Sequence, residues 1–185
     1  MTRERKLRKR DPRGKGLALV GYRGTGKSTV GKILADRLNR RFLDADCEIE
    51  ARARRPIAAI FALEGEKAFR DWEEQTLSEL VRSHPDAILA TGGGAVMRES
   101  NRRLLLDFGL VVWLKAEPDE LARRLLADPR VADRPALTPA GTIAEISAVL
   151  DERRAIYHEV ADLEIDTLGR TPSEIADRIT ELWDI

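Results

Sequence analysis

The chain has 185 residues, 43% hydrophobic and 35% charged, with a formal net charge of zero. That length suits one soluble globular domain with a sizeable core. No apolar run approaches the roughly eighteen residues of a membrane span, and the single cysteine, Cys47, excludes an internal disulfide or a multi-cysteine metal site and fits a reducing cytoplasm.

The charge is unevenly spread. Residues 1–16 hold eight Lys or Arg against Glu4 and Asp11, so the rest of the chain carries a compensating net −6. With almost no apolar content, residues 1–15 are expected to form a disordered, solvated basic leader. A nucleic-acid arm is the sharper alternative. The leader lacks the apolar core of a signal peptide and the serines of a transit peptide. Residues 16–185 are expected to be a single folded domain.

Within that domain strands and helices alternate. Leu17–Val20 reads as a strand and Ser28–Asn39 as a helix with Val30, Ile33, Leu34 and Leu38 inward. Phe42–Asp44 is a short strand. A short helix is expected near Glu48, another after Pro56, and a longer one over Glu66–Val81. Ala87–Ala90 is a third strand and Asn101–Phe108 a helix. Leu110–Leu114 is a continuous apolar run, as buried parallel strands require. Pro118–Ala127 is helical, Asp128–Ala140 a proline-bearing loop, and Thr142–Val160 a long helix. Leu163–Ile165 is the fifth strand, and Pro172–Trp183 closes the chain with Pro172 in its first turn. The pattern implies an α/β domain with a parallel sheet covered on both faces, and sites beyond the carboxyl ends of its strands.

The first such end carries Gly21-Tyr22-Arg23-Gly24-Thr25-Gly26-Lys27-Ser28, a G-x-x-x-x-G-K-S phosphate loop between strand and helix. Its glycines let successive N–H groups curl into an anion nest, and the helix that follows adds its positive end. Lys27 can reach the outer phosphates and Ser28 can ligate Mg²⁺.

A phosphate loop names a ligand, not a reaction. After the second strand come Asp44 and Asp46, which read either as a metal and substrate pair or as turn and helix-capping residues. Arg70 and Glu73, three apart on a helix, can pair, and a fixed guanidinium suits bidentate carboxylate recognition; a surface ion pair is the alternative. Gly92, Gly93 and Gly94 permit close backbone approach to a ligand, or form a flexible turn. Arg134-Pro135 lies in the proline-bearing loop, with Arg153 and Arg154 on the next helix; such arginines suit a lid closing over phosphates, or are solvated charge.

Taken together and in this order, these motifs resemble the shikimate kinase family from about Leu17 to the C-terminus. The matching stretches are residues 21–31, Phe42–Asp46 with Ile49-Glu50, Ile60-Phe61, Gly65-Glu66, Phe69-Arg70, Thr91–Gly94, Arg134-Pro135, and Arg153 four residues before Tyr157. The resemblance implies a three-layer nucleoside-monophosphate-kinase-like fold with five parallel strands. It also implies transfer of the ATP γ-phosphate to the 3-hydroxyl of shikimate, with Mg²⁺ as cofactor. Gly24, Thr25, Gly26, Lys27, Ser28 and Thr29 would hold ATP, and Ser28 with Asp44 would serve the metal. Asp46 would sit at the attacking hydroxyl. Arg70, braced by Glu73, and Arg153 would clamp the shikimate carboxylate, with Gly92, Gly93 and Gly94 lining its pocket. Arg134 would come from the lid onto the transferring phosphoryl group, making Lys27, Asp46 and Arg134 the catalytic set.

Arg124 resembles the family's adenine-stacking arginine, with Arg130 as the alternative because the spacing to Arg134-Pro135 is longer than the family's. Arg170 falls where the family borders the adenine. The substrate-binding segment would span about 44–75 and the lid about 124–140. A cytoplasmic monomer in aromatic amino-acid biosynthesis is implied, without nucleic-acid or membrane partners. Two rivals remain. A gluconate-type kinase on the same fold should lack the Arg70 and Arg153 pair, and a non-catalytic nucleotide-binding module should have lost Lys27 or Asp46.

Overall fold

β1 (Gly16–Val20), β2 (Phe42–Asp44), β3 (Ile88–Ala90), β4 (Gly109–Lys115) and β5 (Leu163–Asp166) form one sheet in the order β2-β3-β1-β4-β5. Every neighbouring pair is parallel. This is a computed structural model, and it describes residues 14–127 and 142–183. Most of the basic leader and the proline-bearing loop with Arg130, Arg134 and Pro135 lie outside the described residues, so the expectations for leader, lid and those arginines fall there.

β1 sits at the centre, with Leu17 opposite Ile88 on one side and Leu110 on the other. Alternation along the strand sends side chains to two separate cores. Leu17 and Leu19 join Val30 and Leu34 of α1 (Lys27–Leu38) and Ile175 and Ile179 of α7 (Pro172–Leu182). Ala18 and Val20 join the other layer. There Leu77 and Leu80 come from α3 (Ile57–Ser83), Leu105 and Phe108 from α4 (Glu99–Phe108), and Tyr157 and Val160 from α6 (Thr142–Val160). A strand buried on both faces has no room for polar residues, which is why β1 and β4 read as unbroken apolar runs. A smaller cluster joins α5 (Pro118–Ala127) to α6 through Leu121, Leu125, Ile146 and Leu150, with Tyr22 of the phosphate loop among them.

Three local features depart from the expected elements. The helix expected near Glu48 is α2 (Ala45–Ala53), and it starts at Ala45 because Asp44, the last residue of β2, is itself the N-cap. Asp44 Oδ1 accepts the N–H groups of Asp46 and Cys47. The two helices expected after Pro56 are joined in α3, with a break at Gly65, whose φ of 82° and ψ of 174° few other residues adopt. A 3₁₀ turn at Ala95–Met97, which has no clear sequence signal, follows the three glycines. Buried Asn101 holds it by donating Nδ2–H to the Ala95 carbonyl.

Candidate active site

The carboxyl ends of β1, β2 and β3 lie side by side, and the chemistry-bearing residues follow them. Gly24 and Gly26 take φ of 82° and 91°. Gly26 is the N-cap of α1, so Lys27 begins the helix. Lys27 is buried, and its Nζ donates to the carbonyls of Gly21 (2.7 Å) and Tyr22 (2.8 Å). Thr25 Oγ1 donates to the same Tyr22 carbonyl at 2.8 Å, drawing the loop tight. The lysine charge is thus held over the loop whose N–H groups and helix end already favour an anion.

Ser28 Oγ donates to Asp44 Oδ2 at 2.5 Å. The aspartate therefore uses one oxygen toward the phosphate loop and the other to cap α2. A hydroxyl and a carboxylate in contact beside a phosphate loop are the hard oxygen donors Mg²⁺ takes, with substrate phosphates completing its shell. The residues present fit that ion.

Asp44 and Asp46 diverge, because β2 ends between them. Asp46 instead approaches β3. A methyl group at Gly92 would stand 2.9 Å from Asp46 Oδ1 and 2.5 Å from Glu73 Oε1. Glu73 is fully buried. Burial pushes its carboxyl above the usual carboxylate range, and the adjacent Arg70 pulls back in part. Arg70 Nη1 donates to Glu73 Oε2 at 2.8 Å and Nη2 to Glu66 Oε1 at 3.1 Å. The anticipated bracing by Glu73 is present, and Glu66 adds a second carboxylate. Gly94 faces the guanidinium, and a methyl there would stand 2.5 Å from both Nη atoms. Arg153 Nη1 donates to the Gly93 carbonyl at 3.2 Å. The fold therefore gathers Asp46, Arg70, Arg153 and the three glycines around one turn.

A second group of residues lies at the ends of β1 and β5. Gly24, Thr25, Gly26, Thr29, Arg124 and Arg170 all line one cleft of about 490 Å³. Arg124 is held from three directions. Its Nε donates to Glu120 Oε1 (2.6 Å), its Nη1 to Thr167 Oγ1 (3.0 Å), and its Nη2 to the Thr167 carbonyl (3.2 Å). Another hollow of about 320 Å³, at Gly14, Val81, Leu104 and Phe108, lies by the amino ends of the strands and holds none of these residues.

The model of the shikimate kinase family matches residues 23–183. The chain belongs to the shikimate kinase family. The kinase is 45% identical to the shikimate kinase of Rhodopirellula baltica over 164 residues, 88% of this chain and 87% of the relative. Among solved structures it resembles shikimate kinase from Acinetobacter baumannii in complex with shikimate, with a TM-score of 0.85 and 37% identity, covering 91% of this chain and 92% of that one. A gluconokinase from Sinorhizobium meliloti 1021 also superimposes, with a TM-score of 0.54, covering 95% of this chain and 94% of that one. Its 15% identity reflects a common fold alone.

Some residues around this kinase's site carried no sequence signal. Thr167 is 1% exposed and contacts Arg124 from 43 residues away. Glu145, also buried, lies 3.9 Å from Arg23 of the phosphate loop. Glu120 holds Arg123 and Arg124 together. The i, i+3 and i, i+4 spacings of Glu120 to Arg123 and Arg124 are the signal in the sequence that points to these pairs.

Proposed function

We propose that this shikimate kinase transfers the γ-phosphate of ATP to the 3-hydroxyl of shikimate through the residues assembled above. Phosphoryl transfer asks little covalent chemistry of a protein, so positioning and charge stabilisation carry the reaction. Lys27 and the N–H groups of the phosphate loop bind the phosphates. Ser28 and Asp44 hold Mg²⁺, which supplies charge neutralisation on the phosphate oxygens when bound. Arg124 and Arg170 border the base, and Arg134 of the lid meets the transferring group. The lid is proposed to span about 124–140 and the acceptor segment about 44–75.

Asp46 orients the attacking hydroxyl. In a loose transition state the attacking oxygen has formed little of its new bond and carries little positive charge, so early removal of its proton by a general base is not required. Arg70 and Arg153 take the shikimate carboxylate, with the glycine turn beneath it. The observation that carries this reading is the anchoring of Arg70. A guanidinium fixed on a fully buried glutamate and fitted against a glycine suits a planar anion such as a carboxylate. The names of the relatives and the shikimate in the Acinetobacter baumannii structure support the same acceptor.

No described helix is long and apolar enough to cross a membrane. We propose a cytoplasmic monomer, with ATP and shikimate as its partners and no nucleic acid. The test is ADP release in a coupled assay, with shikimate, gluconate and other hydroxy acids as acceptors. Release that depends on shikimate is expected. Release driven by gluconate, or by no acceptor offered, overturns the assignment.

A further inference from the structure

Tyr157 of α6 is fully buried, and its ring stacks on Trp113 of β4 with centroids 5.3 Å apart. A phenylalanine would fill that space equally well. The hydroxyl donates to the carbonyl of Gly93, the middle residue of the glycine turn. Arg153, one helical turn earlier, donates to the same oxygen at 3.2 Å. Two donors from one helix therefore occupy both acceptor positions of one carbonyl.

That carbonyl sits at a junction. Methyl groups on the three glycines would meet different parts of the site: Glu73 and Asp46 from Gly92, Arg70 from Gly94, and the Arg23 N–H of the phosphate loop, 3.4 Å away, from Gly93. Three consecutive glycines have more backbone freedom than any other tripeptide, so the turn needs an outside constraint to hold one shape. The Gly93–Gly94 peptide bond is trans, so fixing the Gly93 C=O on α6 directs the Gly94 N–H to the opposite side.

We propose that Tyr157 is a positioning residue, whose hydroxyl fixes the Gly93–Gly94 peptide where the acceptor pocket meets the phosphate loop. The proposal rests on the reading that this turn lines the acceptor pocket. Arg153 is assigned to the acceptor itself, which leaves the tyrosine as the donor dedicated to the turn. Burial pushes the Tyr157 phenol up to about 12, so it stays a donor throughout any practical assay range.

Tyr157→Phe removes the hydroxyl and keeps the stack on Trp113. The shikimate KM should rise roughly 5- to 10-fold, as loss of one buried hydrogen bond implies. The ATP KM should stay within about twofold of wild type. Amide exchange at Gly94, followed by NMR on the folded protein without ligand, should become faster. Trp113→Phe is the packing control: it should lower Tm and leave the shikimate KM in place. The proposal is overturned if folded Tyr157→Phe keeps both its shikimate KM and its Gly94 exchange rate. It also fails if both KM values rise together with a fall in Tm, or if Trp113→Phe raises the shikimate KM as much. If the wild type does not phosphorylate shikimate, the assigned function is wrong, and the Gly94 exchange rate still decides whether Tyr157 fixes the peptide.

Discussion

The Arg70 guanidinium occupies the space a side chain on Gly94 would need. A methyl group there would stand 2.5 Å from both terminal nitrogens and 2.7 Å from the guanidinium carbon. Arginine can usually swing away from such a clash, but this one is pinned by Glu73 and Glu66. Gly94→Ala should therefore displace Arg70 while leaving the phosphate loop alone. We expect the shikimate KM to rise about tenfold or more, on the scale of one charge-assisted hydrogen bond, with the ATP KM unchanged. Initial-rate kinetics with each substrate varied in turn will measure both.

Arg70→Lys keeps the charge and loses the planar fork. The shikimate KM should rise roughly 10- to 100-fold. An analogue with the carboxylate replaced by a neutral amide should bind wild type poorly, and the substitution should cost that analogue almost nothing more. If acid and amide suffer equally in the two-by-two comparison, Arg70 supports the fold or the nucleotide site and not the carboxylate.

Lys27→Met replaces the ammonium with an apolar group of similar reach. Turnover should fall roughly 100-fold or more, as when a donor to developing charge is removed. Circular dichroism should report a folded protein. A folded variant with near-normal turnover would remove Lys27 from the phosphate site.

Asp44 and Asp46 should separate kinetically, because β2 ends between them. Asp46→Asn should lower kcat strongly with little change in ATP binding. Asp44→Asn should raise the Mg²⁺ concentration needed for half-maximal rate and leave Tm nearly unchanged, because an asparagine oxygen still caps α2. Titrations of Mg²⁺ at fixed ATP distinguish the two. An Asp46 variant that needs more Mg²⁺ and keeps its turnover would place Asp46 in the metal shell.

Hydrogen bonds from Arg123 and Arg124 hold the Glu120 carboxyl well below its usual 4.5, at about 2. A carboxylate depressed on folding adds stability where it is ionised. That contribution is present above pH 4.5 and is lost as pH falls toward 2. Arg123 is largely exposed, so solvent screening keeps the effect small. Glu120→Gln should lower Tm slightly at neutral pH and lose less stability than wild type over the acid window. Parallel thermal melts from pH 5 down to about pH 2 will compare the slopes.

Much of this architecture was legible in the chain because local chemistry and global fold agree. The apolar runs of β1 and β4 announce strands buried on both faces, and the loop from Gly21 to Ser28 announces its ligand. Asp44 was harder. Its spacing allowed a metal residue or a helix cap as alternatives, and the folded protein uses the side chain as a cap with one oxygen while the other meets Ser28. The three glycines read as a loose turn or a ligand platform; that Gly92 makes room for Glu73 and Gly94 for Arg70 depends on α3 packing over β3, which no local pattern encodes. Arg124 is similar. Its contact with Gly24, 100 residues away, needs β4 beside β1, and its contact with Thr167, 43 away, needs β5 beside β4.

The sheet order has a bearing on how acceptor choice could be re-engineered. Strands β2 and β3 lie on one flank of β1, and they deliver Asp44, Asp46 and the glycine turn. Strands β4 and β5 lie on the other flank, with Arg124 and Arg170 following them. A transplant of residues 44–75 from a kinase with another acceptor would look like a clean exchange of one flank. It would not be one, because α6 starts from the β4–β5 flank and reaches across to Gly93 through Arg153 and Tyr157. Such a chimera would keep the old anchor beneath a new pocket. Changing the acceptor requires α6 to be redesigned along with the grafted segment.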